Sequence, residues 1–314
     1  MHTNNIIRTG AAIVALATVF TLTAAAQKFE RKTEKHFDVQ SNPTVRIDGK
    51  FGPITVKGTD ANVVDVKVQL RVEEESLAAA KERAEDVDVI IEGSKNEVRV
   101  EVDWDGSASD GGKHSMNTII TLTVPRKTVL EIENKFGSTS VTDVEGSVSI
   151  EAQFGSIVVT NCTNVETKNA FGGTTLSAIR GTFKVESKNG KVRAFDVPGG
   201  EITNAFGAIE ISDASGPVSV RGRMGSIAAK NIPGGHIINS YGSTTVSLVR
   251  DFSGLIEAKT RFGDVESDYP LQSREKNRET KYGPTPEDLI GRVGSGRGKL
   301  TVINEFGDIT IRKR

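Results

Sequence analysis

The chain reads Asn204-Ala205-Phe206-Gly207-Ala208-Ile209-Glu210-Ile211 at its centre, and close variants of this stretch recur along the sequence. The glycine after the aromatic residue returns at alternating intervals of 18 and 17 residues, at positions 137, 155, 172, 190, 207, 225 and 242. Related copies end at Gly263 and Gly307, and an earlier copy ends at Gly52. A fixed short period is the signature of a repeat architecture, in which one small unit is stacked many times.

Apolar residues alternate with polar ones inside each repeat, as in Ile209-Glu210-Ile211 and Val218-Ser219-Val220. This alternation over short runs is typical of strands. A second break, such as Pro198-Gly199 or Pro233-Gly234, divides each repeat, and no intervening segment is long enough for a crossover helix. The pattern predicts an all-β protein, with a parallel β-solenoid of about eight coils over residues 131–314. We expect the coil to be right-handed, as parallel crossovers are.

A second period of 35 residues, or two coils, lies on top of the first. It places an asparagine three residues before every other corner glycine, at Asn134, Asn169, Asn204 and Asn239, and again at Asn304. These asparagines share strand parity with inward apolar residues. We therefore expect them to point into the corner and to hydrogen-bond backbone groups that the bend leaves unpaired. The alternative is a polar binding column.

The residue before each corner glycine is usually aromatic. By parity with the asparagines, these rings are predicted to point inward and to stack as an internal ladder, which is a structural role rather than a ligand platform. The predicted ladder residues are Phe136, Phe154, Phe171, Phe206, Tyr241, Phe262 and Phe306.

The ends of the chain are less regular than its centre. Residues 1–26 are predicted to be a signal peptide, because Arg8 precedes a short apolar run and Ala24-Ala25-Ala26 forms a small-residue cleavage site. The mature chain is therefore expected to be exported to the periplasm, the outer surface or the medium. Residues 27–130 are predicted to be a β-rich capping region with one short helix within 73–85. Residues 266–297, rich in proline and charge, are predicted to be a mobile loop.

Three stretches carry a resemblance to a known family: residues 45–56, residues 124–130 leading into the first regular coil, and residues 263–271 followed by 306–311. On these stretches the mature chain resembles the bacterial "putative adhesin" families of single-stranded right-handed β-helices, catalogued as domains of unknown function. The resemblance implies an envelope or secreted location and a non-enzymatic role. It carries over no functional residues.

The sequence contains few residues in patterns typical of catalytic, metal-binding or nucleotide-binding sites. The formal net charge of −1 gives no nucleic-acid footprint, and no His or Cys spacing suits zinc, so no cofactor or metal is expected. Cys162 takes a core position in its coil. A nucleotide-binding loop is not supported, because Gly294–Lys299 lacks the P-loop ending.

Two outward faces remain as candidates. One alternates glutamates with lysines, which is typical of a solvated wall but is also where a polysaccharide-cleaving enzyme would need carboxylates. The other, after each corner glycine, is rich in serine and threonine and could bind glycans.

The function predicted from these patterns is a non-catalytic envelope scaffold or adhesion-like module. A secreted polysaccharide-active enzyme and a periplasmic envelope-stress accessory protein are the alternatives. The expected partner is an unidentified envelope protein or glycan, and end-to-end or side-to-side self-association stays open.

Overall fold

The fold is that of a computed structural model, which describes residues 27–104, 115–274 and 286–314. The predicted signal peptide lies outside these residues. The helix that they contain is nine residues long and carries four charged residues, and no helix in this part of the chain has the length and apolar character needed to cross a membrane.

Strands account for nearly all regular structure. The N-terminal part contains β1 (Gln27–Asp38), β2 (Thr44–Phe51), β3 (Ile54–Thr59), β4 (Val63–Glu74), α1 (Leu77–Glu85), β5 (Val87–Gly93), β6 (Glu97–Trp104) and β7 (Ser115–Pro125). The regular repeats contain β8 (Val129–Phe136), β9 (Thr139–Thr142), β10 (Ser147–Phe154), β11 (Ile157–Thr160), β12 (Asn164–Phe171), β13 (Thr174–Ser177), β14 (Phe183–Asn189), β15 (Val192–Val197), β16 (Glu201–Phe206), β17 (Ile209–Ala214), β18 (Val218–Met224), β19 (Ile227–Ile232), β20 (Gly235–Tyr241) and β21 (Thr244–Leu248). The C-terminal part contains β22 (Gly254–Phe262), β23 (Val265–Ser267), β24 (Gln272–Ser273), β25 (Glu287–Val293), β26 (Gly298–Phe306) and β27 (Ile309–Lys313).

Two large sheets enclose one core. Sheet A has the strand order β1-β4-β7-β3-β9-β11-β13-β15-β17-β19-β21-β27-β23, and sheet B has the order β24-β25-β22-β26-β20-β18-β16-β14-β12-β10-β8-β2-β6-β5. Each coil gives one strand to each sheet and pairs in parallel register with its neighbours, as β10 does with β8 and β12. The two sheets of parallel strands confirm the all-β, solenoid-like fold that the repeat predicts. Ten coils of two consecutive strands lie in the described residues, more than the eight predicted, because β2–β3 and β26–β27 also join the stack; β6 and β7 continue the parallel pairing beyond β2 and β3.

The coils at the ends are not stacked in chain order. The last coil of the chain, β26–β27, lies between β20–β21 and β22–β23 and pairs in parallel with both. At the other end β2 pairs with β8, and the later strand β6 lies outside it.

Antiparallel strands follow at both ends of the stack. β4 pairs with β7 and with β1, and β5 pairs with β6. Helix α1 begins after Ser76, whose side chain accepts a hydrogen bond from the amide of Ala79, and it buries Ala80 and Ala84 against this end. These elements belong to the predicted capping region.

The segment predicted as a mobile loop, 266–297, is strand-forming where it is described. β25 runs antiparallel to β22, and the two-residue β24 pairs with β25. Residues 275–285 lie outside the described residues.

The core consists mainly of small and branched apolar side chains along the axis of the stack, with a buried threonine, Thr167, between Ile150 and Val185. Ile132, Ile150, Val185, Ile202 and Val220 are examples from sheet B, all nearly inaccessible to solvent. Equivalent residues of successive coils lie directly over one another, so each side chain packs on its own counterpart.

Candidate functional site

The corner between the two sheets decides which side chains reach the surface. Gly155 and Gly172 illustrate it: both have left-handed φ values, 153° and 133°, and the amide of Gly155 donates to the carbonyl oxygen of Phe171 in the next coil. A Cβ built on Gly172 would lie 2.1 Å from the carbonyl oxygen of Gly155. Backbone packs on backbone here, so only glycine fits.

The five asparagines lie inside this corner, and each serves two coils. The Nδ2 of Asn204 donates to the carbonyl oxygens of Gly190, 2.8 Å away in the preceding coil, and Gly207, 3.1 Å away in its own. Asn134, Asn239 and Asn304 make the same two kinds of bond, and Asn169 donates to Gly155 of the preceding coil and to Gly173, the residue after its own corner glycine. One asparagine therefore satisfies two corners, which gives a physical reason for the period of two coils.

The alternate coils carry small residues at the asparagine position. Ala152, Ser187 and Gly222 pair there with the asparagines above and below them. A Cβ on Gly222 would lie 2.9 Å from the Oδ1 of Asn239, so the asparagine amide occupies the space. Being buried and bonded to backbone, the asparagines do not form an accessible binding column.

The aromatic residues point outward, and the predicted internal ladder is wrong. Phe136, Phe154, Phe171, Phe206 and Tyr241 are 42–47% exposed, and Phe262 and Phe306 are half-buried. Strand alternation fails at the bend: Asn134 is buried, yet Phe136, two residues later, is exposed. The asparagine amide and the glycine carbonyls fill the inside of the corner, so the ring must turn to solvent.

These residues form one continuous stripe, which we call the aromatic ladder. In spatial order it consists of Phe51, Phe136, Phe154, Phe171, Asn189, Phe206, Met224, Tyr241, Phe306 and Phe262. It lies where each coil turns from sheet B to sheet A, so it forms a ridge along the stack. At about 4.8 Å per coil, the ladder is about 43 Å long.

Neighbouring rings of the ladder are stacked nearly parallel. Phe136 and Phe154 lie 5.2 Å apart between ring centroids with an interplanar angle of 3°, and Phe154 and Phe171 lie 4.9 Å apart at 5°. Tyr241, Phe306 and Phe262 form a second run at 4.8 and 4.6 Å. Within these runs the ring faces cover one another, so the ladder presents ring edges to solvent.

A groove of about 820 Å³ runs beside the middle of the ladder on sheet B. Phe154 and Phe171 form its apolar side, and the short side chains of Ala170 and Ala205 open it. Lys168, Lys188, Glu151 and Glu186 lie around it, so an occupant would meet apolar ring edges and charges of both signs.

The residue directly before each ladder residue completes the ridge. In ladder order these ten residues, which we call the basic column, are Lys50, Lys135, Gln153, Ala170, Lys188, Ala205, Arg223, Ser240, Glu305 and Arg261. Five are basic and one is acidic, a formal net charge of +4 in a chain whose formal net charge is −1. Lys50 is paired with Asp103, and Arg261 lies 4.0 Å from Glu305, so Lys135, Lys188 and Arg223 are the main cations of the column. Arg223 lies over Phe206 at 6.0 Å and Arg261 over Phe262 at 5.3 Å, so cations and rings share one surface.

The faces proposed from sequence are present on the outside of the sheets. Thr160 and Ser177 share a hydrogen bond of 3.0 Å on sheet A, and Glu210 interrupts the hydroxyl face by pairing with Lys191 and with Arg193 at 3.2 Å. On sheet B, Lys184 pairs with Glu186 at 2.6 Å and lies 3.7 Å from Glu166.

The second corner of six successive coils carries a signal that the sequence reading missed. Its residues have left-handed φ values of 51–63° without being glycine, and most are Asp or Asn, which tolerate that conformation: Asp143, Asn161, Ala178, Asp196, Asp213 and Asn231. Some link successive coils, as Asn161 does by donating to Asp143 at 2.6 Å. Their spacing of 18 and 17 residues could have revealed them.

An ion network ties the C-terminal segment to sheet B. Glu257 on β22 pairs with Lys299 at 3.0 Å, accepts from Thr301 at 3.0 Å and contacts Arg274, which lies 3.9 Å from Asp288 on β25. Lys299 and Arg274 lower the pKa of Glu257 from its ordinary 4.5 to about 2. The carboxylate joins three parts of the chain that are distant in sequence.

This network predicts acid sensitivity. Because the pKa of Glu257 is lower in the folded state, its contribution is present above about pH 4.5 and is lost as the pH falls towards 2. We expect Glu257→Gln to reduce the free energy of unfolding at pH 7 by about 1 kcal/mol, as for a network open to solvent, and to flatten its decline below pH 4.5. Denaturant titrations between pH 2 and 7 measure this, with Glu133→Gln as the control. Parallel pH profiles for the wild type and Glu257→Gln would contradict it.

The thiol of Cys162 is buried, and burial raises its pKa to about 11. It is a core residue rather than a reactive thiol. Within residues 27–104, 115–274 and 286–314, no cluster of His, Cys, Asp and Glu side chains is arranged to hold a metal.

Solved structures that match this chain at low identity carry adhesion-related and lipid-related descriptions. A "putative cell adhesion protein" from Clostridium sporogenes is 11% identical, with 90% of this chain and 100% of that chain covered and a TM-score of 0.21. A "putative adhesin" from Bacteroides fragilis is 13% identical, covering 90% and 97%, with a TM-score of 0.30. A "putative lipid binding protein" from Parabacteroides distasonis is 9% identical, covering 90% and 96%, with a TM-score of 0.31. Similarity this low carries no information on binding.

No curated protein matches the chain. The model of the Toastrack DUF4097 family matches residues 47–312, which include the coil stack and most of the antiparallel strands at its two ends. The chain therefore belongs to the Toastrack DUF4097 family.

Proposed function

We propose that this protein is a non-catalytic binding module of the cell envelope, and that the aromatic ladder is its binding surface. The observation that carries the proposal is the exposure of the ladder: Phe136, Phe154, Phe171, Phe206 and Tyr241 each leave more than two fifths of their surface to solvent. Soluble proteins seldom leave a long contiguous apolar patch uncovered unless it binds something.

The stack supports this role by being rigid and repetitive. Successive rings are held by backbone pairing on both sides of the corner, so the ladder is ordered before a partner arrives. A preformed surface loses little conformational entropy on binding.

The carboxylates fit a binding module better than an enzyme. Lys184 lowers the pKa of Glu186, and Lys191 and Arg193 lower the pKa of Glu210. These groups are held ionised by neighbouring cations, whereas a glycoside-cleaving general acid needs a raised pKa.

The domain organisation proposed here has three parts: an export signal in residues 1–26, a β-rich capping region in residues 27–130 whose β2–β3 coil joins the stack, and a right-handed solenoid in residues 131–314. The charged edge strand β1, which contains Lys32, Glu34 and Lys35, suits a cap because charged edges resist pairing with other chains. Export to the envelope rests on the sequence of residues 1–26.

The ladder can be tested with a double substitution, Phe154→Ser/Phe171→Ser. We expect the immobilised variant to retain at most about a tenth of the envelope material that the wild type retains, because two apolar contacts are removed at the centre of the surface. Capture from envelope extract, quantified for proteins, glycans and lipids, is the measurement.

A matched control is available on the outer face of sheet A, away from the ladder. Val158 and Phe195 are 38% and 42% exposed on the outer face of sheet A, so Val158→Ser/Phe195→Ser removes comparable apolar surface elsewhere. Thermal denaturation of both double variants checks their folding. Equal capture by the wild type and the ladder variant would overturn the proposal.

A further inference from the structure

The composition of the ridge narrows the class of partner, on the assumption that the aromatic ladder is the binding surface. Beside the apolar ladder runs the basic column with its formal net charge of +4. The acidic residues Glu133, Glu151 and Glu186 lie two residues further back on their strands, away from the corner. An occupant of the ridge therefore meets apolar edges and cations first.

The charge of the basic column argues against a second copy of this chain as the occupant, and the geometry of the rings argues against a sugar. In a second copy packed ladder to ladder, the basic columns, with Lys135, Lys188 and Arg223, would approach one another and repel. A sugar would need an open ring face for stacking. The faces of Phe136 and Phe154 are covered by their neighbours at 5.2 and 4.9 Å.

The shape of the ridge fits a flat surface. The ladder lies at the turn between the two sheets, so it projects from the stack and can touch a plane over its whole length of about 43 Å. Aromatic residues with adjacent lysines and arginines are the combination that settles at a lipid interface: the rings enter the headgroup region while the cations reach the phosphates. Each cation near an anionic leaflet adds to this attraction.

We propose that the aromatic ladder and the basic column dock this protein on an anionic lipid surface. The ring edges insert between headgroups along one line, and Lys135, Lys188 and Arg223 face the phosphates. The docked rod lies parallel to the membrane, with the outer face of sheet A left accessible. The contact is peripheral, since only ring edges enter the lipid.

Vesicle sedimentation tests the proposal. The purified protein is mixed with vesicles of phosphatidylcholine, or of equal parts phosphatidylcholine and phosphatidylglycerol. We expect at least about tenfold tighter binding to the mixed vesicles, and a loss of that preference at high salt. Lys135→Glu/Lys188→Glu is expected to lower binding to the mixed vesicles at least about tenfold. Phe154→Ser/Phe171→Ser is expected to lower it by a similar factor.

Matched control variants carry the same kinds of substitution away from the ridge, so they test whether binding depends on where the substituted residues lie. Lys57 and Lys230 are exposed on the outer face of sheet A, so Lys57→Glu/Lys230→Glu makes the same change of charge away from the ridge. That variant and Val158→Ser/Phe195→Ser are expected to bind mixed vesicles as the wild type does. A loss of binding in these controls equal to that in the ridge variants would overturn the proposal.

Two outcomes distinguish this inference from the proposed function. If envelope capture depends on the ladder but neither kind of vesicle is bound, the lipid partner is wrong and the ladder binds an envelope protein or an acidic polymer instead. If both capture and vesicle binding are unaffected by the ladder substitutions, the binding surface itself is wrong.

Discussion

Replacing Gly172 by alanine is expected to lower the free energy of unfolding by about 3 kcal/mol or more. The new Cβ would lie 2.1 Å from the carbonyl oxygen of Gly155, and the φ of 133° is one that alanine adopts only under strain. The two coils cannot move apart locally without breaking the hydrogen bond from the amide of Gly155 to the carbonyl oxygen of Phe171. Urea denaturation followed by circular dichroism measures the effect.

Gly173 is a closely matched control because it is the next residue. A Cβ there would meet only the carbonyl oxygen of Lys191, at 3.5 Å, which is ordinary contact. Gly173→Ala is therefore expected to change the free energy of unfolding by less than about 1 kcal/mol. Equal effects of the two substitutions would show that the corner does not hold the coils at the distance described.

Replacing Asn204 by leucine is expected to cost about 2–4 kcal/mol. The change removes the donor to the carbonyl oxygens of Gly190 and Gly207 and leaves both without that partner inside the stack. Asn204→Asp is a sharper variant, since it keeps the shape but places a carboxylate against two carbonyl oxygens. We expect it to be at least as destabilising as leucine at pH 7, and to recover partly in acid as the carboxyl is protonated.

Asn189→Leu is the control for this series. Asn189 lies on the exterior ladder, and the one hydrogen bond that its side chain makes with the described residues is long, 3.5 Å to the carbonyl oxygen of Ala170. Its replacement is expected to be nearly neutral. A denaturation midpoint for Asn204→Leu equal to that of the wild type would show that the buried amide is dispensable.

Much of this architecture follows from local sequence. The spacing of corner glycines determines the length of a coil, and the alternation of residues such as Ile209, Glu210 and Ile211 determines which side chains of each strand are buried. Both signals are local, because every coil repeats the same bend and the same two strands. The period of 35 residues identified the asparagines in the same way.

Tertiary structure decided what lies beyond this local pattern. The direction of the ladder depends on what fills the corner: the amide of an asparagine such as Asn134 and the glycine carbonyls of two coils occupy the interior, so Phe136 and its counterparts face solvent. That competition for space is invisible to an argument from strand parity, which assumes that alternation continues through the bend. The sequence pattern therefore identifies the residues of the aromatic ladder, but strand parity predicts that they lie in the core rather than on the surface.

The order of the end coils is also determined by tertiary contacts. Nothing local places β26–β27 between β20–β21 and β22–β23, because these coils share the same repeat of two strands and a corner. The excursion through β24 and β25 lets the final coil return to the stack, where it pairs on both sides. The antiparallel β25 then pairs with the outer edge of β22, and Glu257 and Arg274 join the two segments by a contact between residues distant in sequence.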